Sequence, residues 1–432
     1  MKRAGIVILC LSMYYATAGF AQPSLYARKV VETLASPQLK GRGYVQKGDQ
    51  LASAYIAGEF KAAGLRPLNK GSYFQNFDLP VNTFPGKVEV AVNGQLLKTG
   101  ADYLISAFSP SIKGTFQVVH AKSGELLNPA EVLTHVQQAP AALLVIDDLS
   151  EVTADAAAAK VIKGNLQALQ ENADIALKGL VILTNRKLTW TTLTYQGPRP
   201  VITINKAGLR AEDIQELRLN IEAKLVPSYT TRNVGAMVKG TGGTDSTVVV
   251  NAHYDHLGML GEQVYFPGAN DNASGVAMML SMAKHYAAHP PTYNMVFLAF
   301  SGEEIGILGS KAFVENPLVD LTKIKFLVNF DLAGTGEEGI KVVNGSIYRQ
   351  QFDQLVQLND KTKLVAKVDI RGEACNSDHC RFYEKGVPSF FIYTQGGIAA
   401  YHDIYDQADT LPLTAFDSYF KLMVEFFDRS LL

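Results

Sequence analysis

From Asn233 to its end the chain alternates short apolar runs with amphipathic stretches of helical period, and this alternation restricts it to few architectures. The pattern predicts strands at Val248–Ala252, Met295–Phe300, Phe326–Phe330 and Ser389–Tyr393. It predicts helices at Ser274–Ala287, Leu308–Val314, Arg349–Leu358 and Phe416–Leu431. The strands are apolar almost throughout, as strands covered on both faces are. The expected fold class is therefore α/β, a mixed central sheet flanked by helices. Hydrophobic residues at 47% and charged residues at 19% supply a large core and exclude a disordered or coiled-coil chain. With 40 Lys+Arg against 41 Asp+Glu and no long basic run, the chain lacks the electrostatic footprint of a nucleic-acid binder.

Two further regions precede this one. Apolar residues recur at helical spacing through Leu25, Val30, Val31 and Leu34, then through Leu51, Tyr55, Ile56, Phe60 and Ala63, with Gly41-Arg42-Gly43 as a loop between them. From Leu79 to Pro227 the texture becomes β-rich: Val88–Val92, Phe116–Val119, Leu143–Ile146, Leu180–Leu183 and Val201–Ile204, with one helical stretch, Ala154–Leu177. Pro80, Pro85 and Pro227 flank this region. The expected division is N-terminal helices of the main domain at 22–80, a small β-rich inserted domain at 81–228 and the main domain at 229–432. An insert leaves and re-enters its host at neighbouring points, so its two linkers should lie close together.

Residues 1–21 read as a secretory signal peptide. Met1-Lys2-Arg3 is basic, Ala4–Met13 is apolar, and small residues lead to a cut after Ala21. The apolar stretch is shorter than the roughly 20 residues that span a bilayer, and no later segment is long enough to do so. Cys10 follows Leu9, where a lipoprotein signal would carry a small residue. The expected location is periplasmic or extracellular. There the mature chain keeps only Cys375 and Cys380, and an oxidising compartment favours a local disulfide between them.

Polar residues gather where the strands end. His253-Tyr254-Asp255 follows Val248–Ala252, Asp271 precedes a helix, Glu303-Glu304 follows Met295–Phe300, Asp331 follows Phe326–Phe330, and His402 lies beyond Ser389–Tyr393. An open α/β sheet places its ligand site outside the carboxyl ends of its strands. His253, Asp271, Glu304, Asp331 and His402 would meet there as two imidazoles and three carboxylates, a set that suits divalent metals and zinc above all. Five ligands are too many for one tetrahedral ion with an open position. They suit two ions about 3.5–4 Å apart sharing a carboxylate. Glu303 is then free to move protons. His120, His135, His285 and His289 are read as solvated or capping residues, because no such constellation surrounds them.

The strings NAHYDHLG, GANDNASG, SGEEIGILGS, NFDLAG and YHDIYDQADT closely resemble the co-catalytic zinc peptidase family, which includes bacterial leucyl aminopeptidases and glutamate carboxypeptidases. The resemblance covers about 230–432 and, more weakly, 22–80. The segment between, with RPVITINKAG, is similar to a protease-associated domain. The resemblance implies a zinc-peptidase (phosphorylase/hydrolase-like) fold, two zinc ions and peptide substrates. It pairs His253 with Asp331 at one metal and Glu304 with His402 at the other, with Asp271 bridging. It makes Glu303 the general base, Asp255 the carboxylate that fixes the His253 tautomer, and Tyr401 the donor to a tetrahedral oxyanion. Asn376-Ser377-Asp378-His379 would line the pocket or serve the structure. The insert, lacking ligands, would shape access or bind a partner. An aminopeptidase is the leading expectation. A carboxypeptidase, a one-zinc glutaminyl cyclase and a metal-free binding module are the rivals. The filled outer positions His253 and Asp331 and the solitary Trp190 weigh against the cyclase, and the intact ligand set and Glu303 weigh against the binding module.

Overall fold

A computed structural model describes residues 23–147 and 155–430. The expected signal peptide lies outside the described residues. Among the described residues no helix is long and apolar enough to cross a membrane.

The main sheet has nine strands among the described residues. Four inner ones, Asn294–Phe300, Thr247–His253, Ile324–Asp331 and Ser389–Gln395, lie side by side and parallel. On one flank Lys224–Val238 runs antiparallel to Asn294–Phe300, and on the other Gly339–Val343 runs antiparallel to Ser389–Gln395. Thr247–His253 is buried throughout. Its alternate residues feed two cores: Val248 and Val250 face helices Pro23–Leu34, Gly48–Ala62, Gly275–Ala288 and Phe416–Ser430, whereas Val249 faces Leu308–Glu315 and His379–Tyr383. The period-2 pleat thus explains why the run is apolar at every position. Because the inner strands are parallel, their carboxyl ends share one edge of the sheet.

Residues 88–221 form a second sheet of eight strands, with one core of its own and one shared with Leu257, Leu260 and Phe266 of the main domain. Four of these strands, Ile112–Ala121, Leu143–Ile146, Leu180–Thr184 and Val201–Asn205, are parallel neighbours. Helices Pro129–Gln138 and Ala156–Glu171 accompany them, so the region is α/β and holds one helix more than its sequence texture predicts. The connection to the main sheet is a long antiparallel ribbon of Phe74–Thr83 and Lys224–Val238, with Thr83 opposite Lys224. The expected boundaries at 80/81 and 228/229 therefore fall inside strands. Of the prolines that flank the insert, Pro80 and Pro227 sit at the ribbon's one irregularity, where the register shifts between Val226 and Tyr229, and Pro85 lies just beyond the ribbon. A bulge is where a strand tolerates proline, since no ladder donor is needed there.

Cys375 and Cys380 are joined in a disulfide with Cα atoms 4.8 Å apart. The bridge staples the segment 375–380 that leads into His379–Tyr383. So short a loop limits the entropic gain, and replacing both cysteines by serine is expected to cost about 2 kcal/mol. Urea unfolding of the wild type with and without reductant, beside the double variant, checks this.

Candidate metal centre

His253 and Asp331 are the last residues of neighbouring parallel strands. Glu303 and Glu304 follow the next strand after the turn Ser301-Gly302, where Gly302 takes φ +73°. Asp271 lies in the helical turn Ala269–Ser274 that leads into Gly275–Ala288. His402 lies beyond the fourth strand in a left-handed conformation, φ +53°. All five expected ligands meet at the sheet edge. His253 Nε2 lies 3.4 Å from Asp271 Oδ1 and 3.4 Å from Asp331 Oδ2. His402 Nε2 lies 3.1 Å from Asp271 Oδ2 and 3.1 Å from Glu304 Oε2. The two oxygens of Asp271 thus face opposite ways, each toward one imidazole and one further carboxylate. Ligands at 2.0–2.1 Å around a tetrahedral zinc are separated by roughly 3.3 Å, the spacing found here. Asp331 Oδ1 is buried without a hydrogen-bond partner, as a ligand oxygen would be.

The electrostatics separate the two adjacent glutamates. Burial pushes the Glu303 carboxyl well above its ordinary range; His253 offsets part of this, and Glu304, Asp378 and Asp331 add to the rise. Burial acts on Glu304 as well, but hydrogen bonds with His256 and His402 bring it down to about 2. For Asp271, burial is outweighed by hydrogen bonds from His253 and His402, which hold it well below the carboxylate range. Asp271 and Glu304 are therefore ready anionic ligands, whereas Glu303 has the elevated proton affinity of a base. Tyr401 lines the same cleft and stacks on the His402 ring at 4.0 Å. Burial, with Asp271 and Glu304 nearby, raises its hydroxyl, so it remains a donor. The cleft holds about 230 Å³, and Leu332, Arg371, Asn376, Phe391 and Tyr393 complete its wall.

The role expected for Asp255 needs correction. The His253 Nδ1 proton is directed to the backbone carbonyl of Asp255 at 3.2 Å, while the carboxylate oxygen is 3.8 Å away. The chain turns just after His253, which brings the carbonyl nearer than the side chain. The Asp255 carboxylate instead accepts from the Glu303 backbone N–H at 3.2 Å and from the Tyr44 hydroxyl at 3.3 Å. The carboxylate therefore holds the backbone of Glu303 rather than the His253 ring. Of the Asn376–His379 segment, Asn376 reaches the cleft, and Ser377, Asp378 and His379 are buried behind it.

Three further residues escaped the sequence reading. His256 is buried and its Nδ1 lies 2.7 Å from Glu304 Oε1, so this nitrogen donates and fixes the ligand carboxylate. Its signal was its place three residues after His253. Asp406 accepts from the backbone N–H groups of Asn270 and Asp271 at 2.8 and 2.9 Å and so sets the turn that carries the Asp271 carboxylate. Arg42, expected in a loop, is fully buried. It donates to the carbonyls of Tyr254, Leu34, Pro267, Gly268 and Asp271 at 2.6–3.2 Å. Gly41 and Gly43 let this arginine approach, since a Cβ on either would stand 2.4–2.5 Å from Gly258 backbone atoms. The other histidines lie elsewhere: His120 meets the Ile214 carbonyl, His135 meets Glu125, and His285 and His289 stack on one another.

Residues 233–427 match the family described as Peptidase family M28. Aminopeptidase YwaD of Bacillus subtilis (strain 168) is 28% identical over 255 residues, 55% of this chain and 54% of that protein. An aminopeptidase of Pseudomonas aeruginosa (strain UCBPP-PA14) is 28% identical over 217 residues, 46% of this chain and 38% of its own length. The chain thus spans about half, or less, of the curated relatives it matches. Among solved structures, BSAP, a zinc aminopeptidase from Bacillus subtilis, superposes with a TM-score of 0.68 over 94% of both chains at 18% identity. A peptidase M28 precursor from Shewanella amazonensis SB2B gives 0.66 over 94% of this chain and 92% of its own, again at 18% identity. The fold is shared, and because the match covers 94% of this chain the likeness reaches well beyond residues 233–427.

Replacing Arg42 by Met should leave its carbonyl partners without donors and nearby Asp271 and Asp406 without their cation. The expected loss is about 3–5 kcal/mol, the usual cost of removing one member of a buried ionic network. Lysine should not rescue it, since one ammonium cannot span five acceptors. Denaturant unfolding of Arg42→Met and Arg42→Lys beside the wild type checks both statements.

Proposed function

We propose that this chain, a member of peptidase family M28 through its residues 233–427, is an exported aminopeptidase that binds two zinc ions and removes N-terminal residues from peptides. One observation carries the reading. The Asp271 carboxylate directs one oxygen toward His253 and Asp331 and the other toward His402 and Glu304, which is the donor set of two metals sharing a bridge. Buried carboxylates crowd this site and outnumber its guanidinium groups, Arg42 buried behind it and Arg371 on its wall, so divalent cations would relieve their repulsion. The names of the relatives and of the solved structures with this fold support zinc and an aminopeptidase.

Bound zinc supplies Lewis acidity and makes a coordinated water easier to deprotonate. The chain's own residues do the rest. Glu303, fixed through its backbone N–H by Asp255, accepts the proton of the attacking water, which its elevated proton affinity favours. It returns that proton to the departing amine. The Tyr401 hydroxyl, held beside the cleft by stacking on His402, donates to the oxygen on which negative charge develops. The carboxylates of Asp271, Glu303, Glu304 and Asp331 outnumber Arg371 in the lining of the cleft and attract the ammonium group of a free N-terminus, which favours amino- over carboxypeptidase action. Against a cyclase, the Trp190 ring is buried against Phe84 and Phe266 and is not part of the cleft wall.

The signal-peptide-like sequence of residues 1–21 and the disulfide support export, and if residues 1–21 are removed N-terminal sequencing of the mature protein should begin at Gln22. Residues 84–223, between the ribbon's two strands, are read as the protease-associated-like insert.

Purified enzyme is expected to contain two divalent metals per chain and to lose activity to a chelator; a stoichiometry of one in fully active protein would favour the cyclase. Glu303→Gln should keep both metals and lower turnover by roughly 10²–10⁴-fold, the contribution of a general base. Metal analysis beside steady-state kinetics separates these results, since loss of metal would mean that Glu303 is itself a ligand. Aminoacyl-arylamides should be cleaved with a free amine and resist cleavage once N-acetylated.

A further inference from the structure

The segment Lys187–Leu193 leaves the inserted domain after strand Leu180–Thr184 and runs behind the metal centre. Its contacts fall on one half of that centre. Trp190 clamps His402 through the backbone in both directions: the Trp190 N–H donates to the His402 carbonyl at 2.9 Å, and the Trp190 carbonyl lies 3.1 Å from His402 Nδ1. The second contact fixes Nδ1 as the protonated nitrogen, leaving Nε2 as the lone-pair donor that faces Asp271 and Glu304. Thr192 Oγ1 donates to the Glu304 carbonyl at 3.2 Å. Lys187 Nζ donates to the carbonyls of Ala399 and Tyr401 at 2.6 and 3.2 Å and pairs with buried Asp403 at 2.5 Å, so it gathers the loop on both sides of His402.

His402 needs such support. Its φ of +53° is a left-handed conformation that costs a non-glycine residue roughly 1–3 kcal/mol unless neighbours over-determine it. The strap is itself anchored. Trp190 Nε1 donates to the Ile105 carbonyl at 2.7 Å, its ring stacks on Phe266 with centroids 4.9 Å apart, and the Asn82 N–H donates to the Leu193 carbonyl at 2.9 Å. His253 and Asp331, by contrast, terminate neighbouring strands of the main sheet, and His253 Nδ1 is held by the local Asp255 carbonyl.

We propose that residues 187–192 make the inserted domain a positioning element for the Glu304–His402 metal position alone, so that this position is assembled by docking of the insert and is the first to empty when the docking loosens. The inference rests on the two-metal reading above. It goes beyond the expectation that an insert without ligands shapes access or binds a partner. Lys187, Trp190 and Thr192 touch neither substrate nor metal and act through His402 and Glu304. Hydrogen bonds of this kind to ligands are typically worth 10–100-fold in metal affinity.

The test is metal content during dialysis against graded chelator, read by atomic absorption without reference to activity. Wild type should hold two equivalents. Lys187→Met/Trp190→Leu should release one equivalent at 10- to 100-fold lower chelator strength and keep the other at the wild-type strength, a retention that also reports a folded main domain. Thr192→Val, a near-isosteric change that removes one donor, should shift the same equivalent less, and Lys187→Arg should restore it toward wild type. Loss of both equivalents together, or unchanged release in the double and Thr192→Val variants alike, would overturn the proposal. A wild type that holds only one equivalent overturns the two-metal reading itself, which keeps the two failures distinct.

Discussion

Like-charge repulsion in a dry place is the constraint around which the rest of this molecule is arranged. Asp255, Asp271, Asp331, Asp378 and Asp406 are buried together, and Glu303 and Glu304 join them at the cleft floor. Asp255 and Asp406 are pushed up to about 7 and Asp378 to about 6, chiefly by burial. Such a cluster survives only where cations and fixed dipoles oppose it. The imidazoles of His253 and His402 provide part of that opposition. Arg42 provides another part by tying the backbone carbonyls around the carboxylate-bearing turns into one frame. Burial lowers Arg42 to about 10, a value at which it is still charged at neutral pH.

This constraint explains which parts of the site were legible in the sequence. The apolar strands declared themselves because both of their faces are buried, so Thr247–His253 and Asn294–Phe300 read as unbroken runs. Parallel packing brings their carboxyl ends to one edge, and the polar residues just past each run could therefore be grouped before any distance was known. His253, Glu304 and Asp331 stand at or just past such runs, and Asp271, before a helix, and His402, in the loop beyond the fourth strand, meet them at the same edge. Residues that hold the ligands follow no such rule. Arg42 lies more than two hundred positions from most of its acceptors, and a guanidinium that binds carbonyls needs no partner of a particular type. His256 and Asp406 stood inside recognised strings, but nothing in their spacing separates a residue that orients a ligand from one that caps a turn.

The misread boundaries of the insert have a similar origin. Pro80 and Pro227 are strong local signals, and between domains they would mark linkers. Here the two strands that carry them pair with each other across the boundary, and the irregularity they cause is a bulge in a continuous ribbon. A paired ribbon is stiffer than two free linkers, because each strand's backbone groups are satisfied by the other. The insert is consequently tethered in orientation as well as position, which a strap that must meet His402 within hydrogen-bonding distance requires.

Stiffness at the ribbon and adhesion at the strap give the two halves of the centre different mechanical backgrounds. One half belongs to strands whose neighbours are covered on both faces, and opening it requires disturbing the main core. The other half is a loop residue in a left-handed conformation, pinned by a segment whose anchors include Ile105 of the second sheet and Phe266 of the main domain. Local opening follows the least protected cooperative unit. A motion that separates the two sheets would therefore act on Glu304 and His402 while leaving His253 and Asp331 in register. Because Tyr401 stacks on His402, the same motion would carry Tyr401, the proposed oxyanion donor, away with His402. On the two-metal reading, metal affinity at one position and the geometry of the attacked carbonyl would be coupled through a single loop, and the inserted domain would take part in the chemistry of the site while contributing none of the proposed ligands.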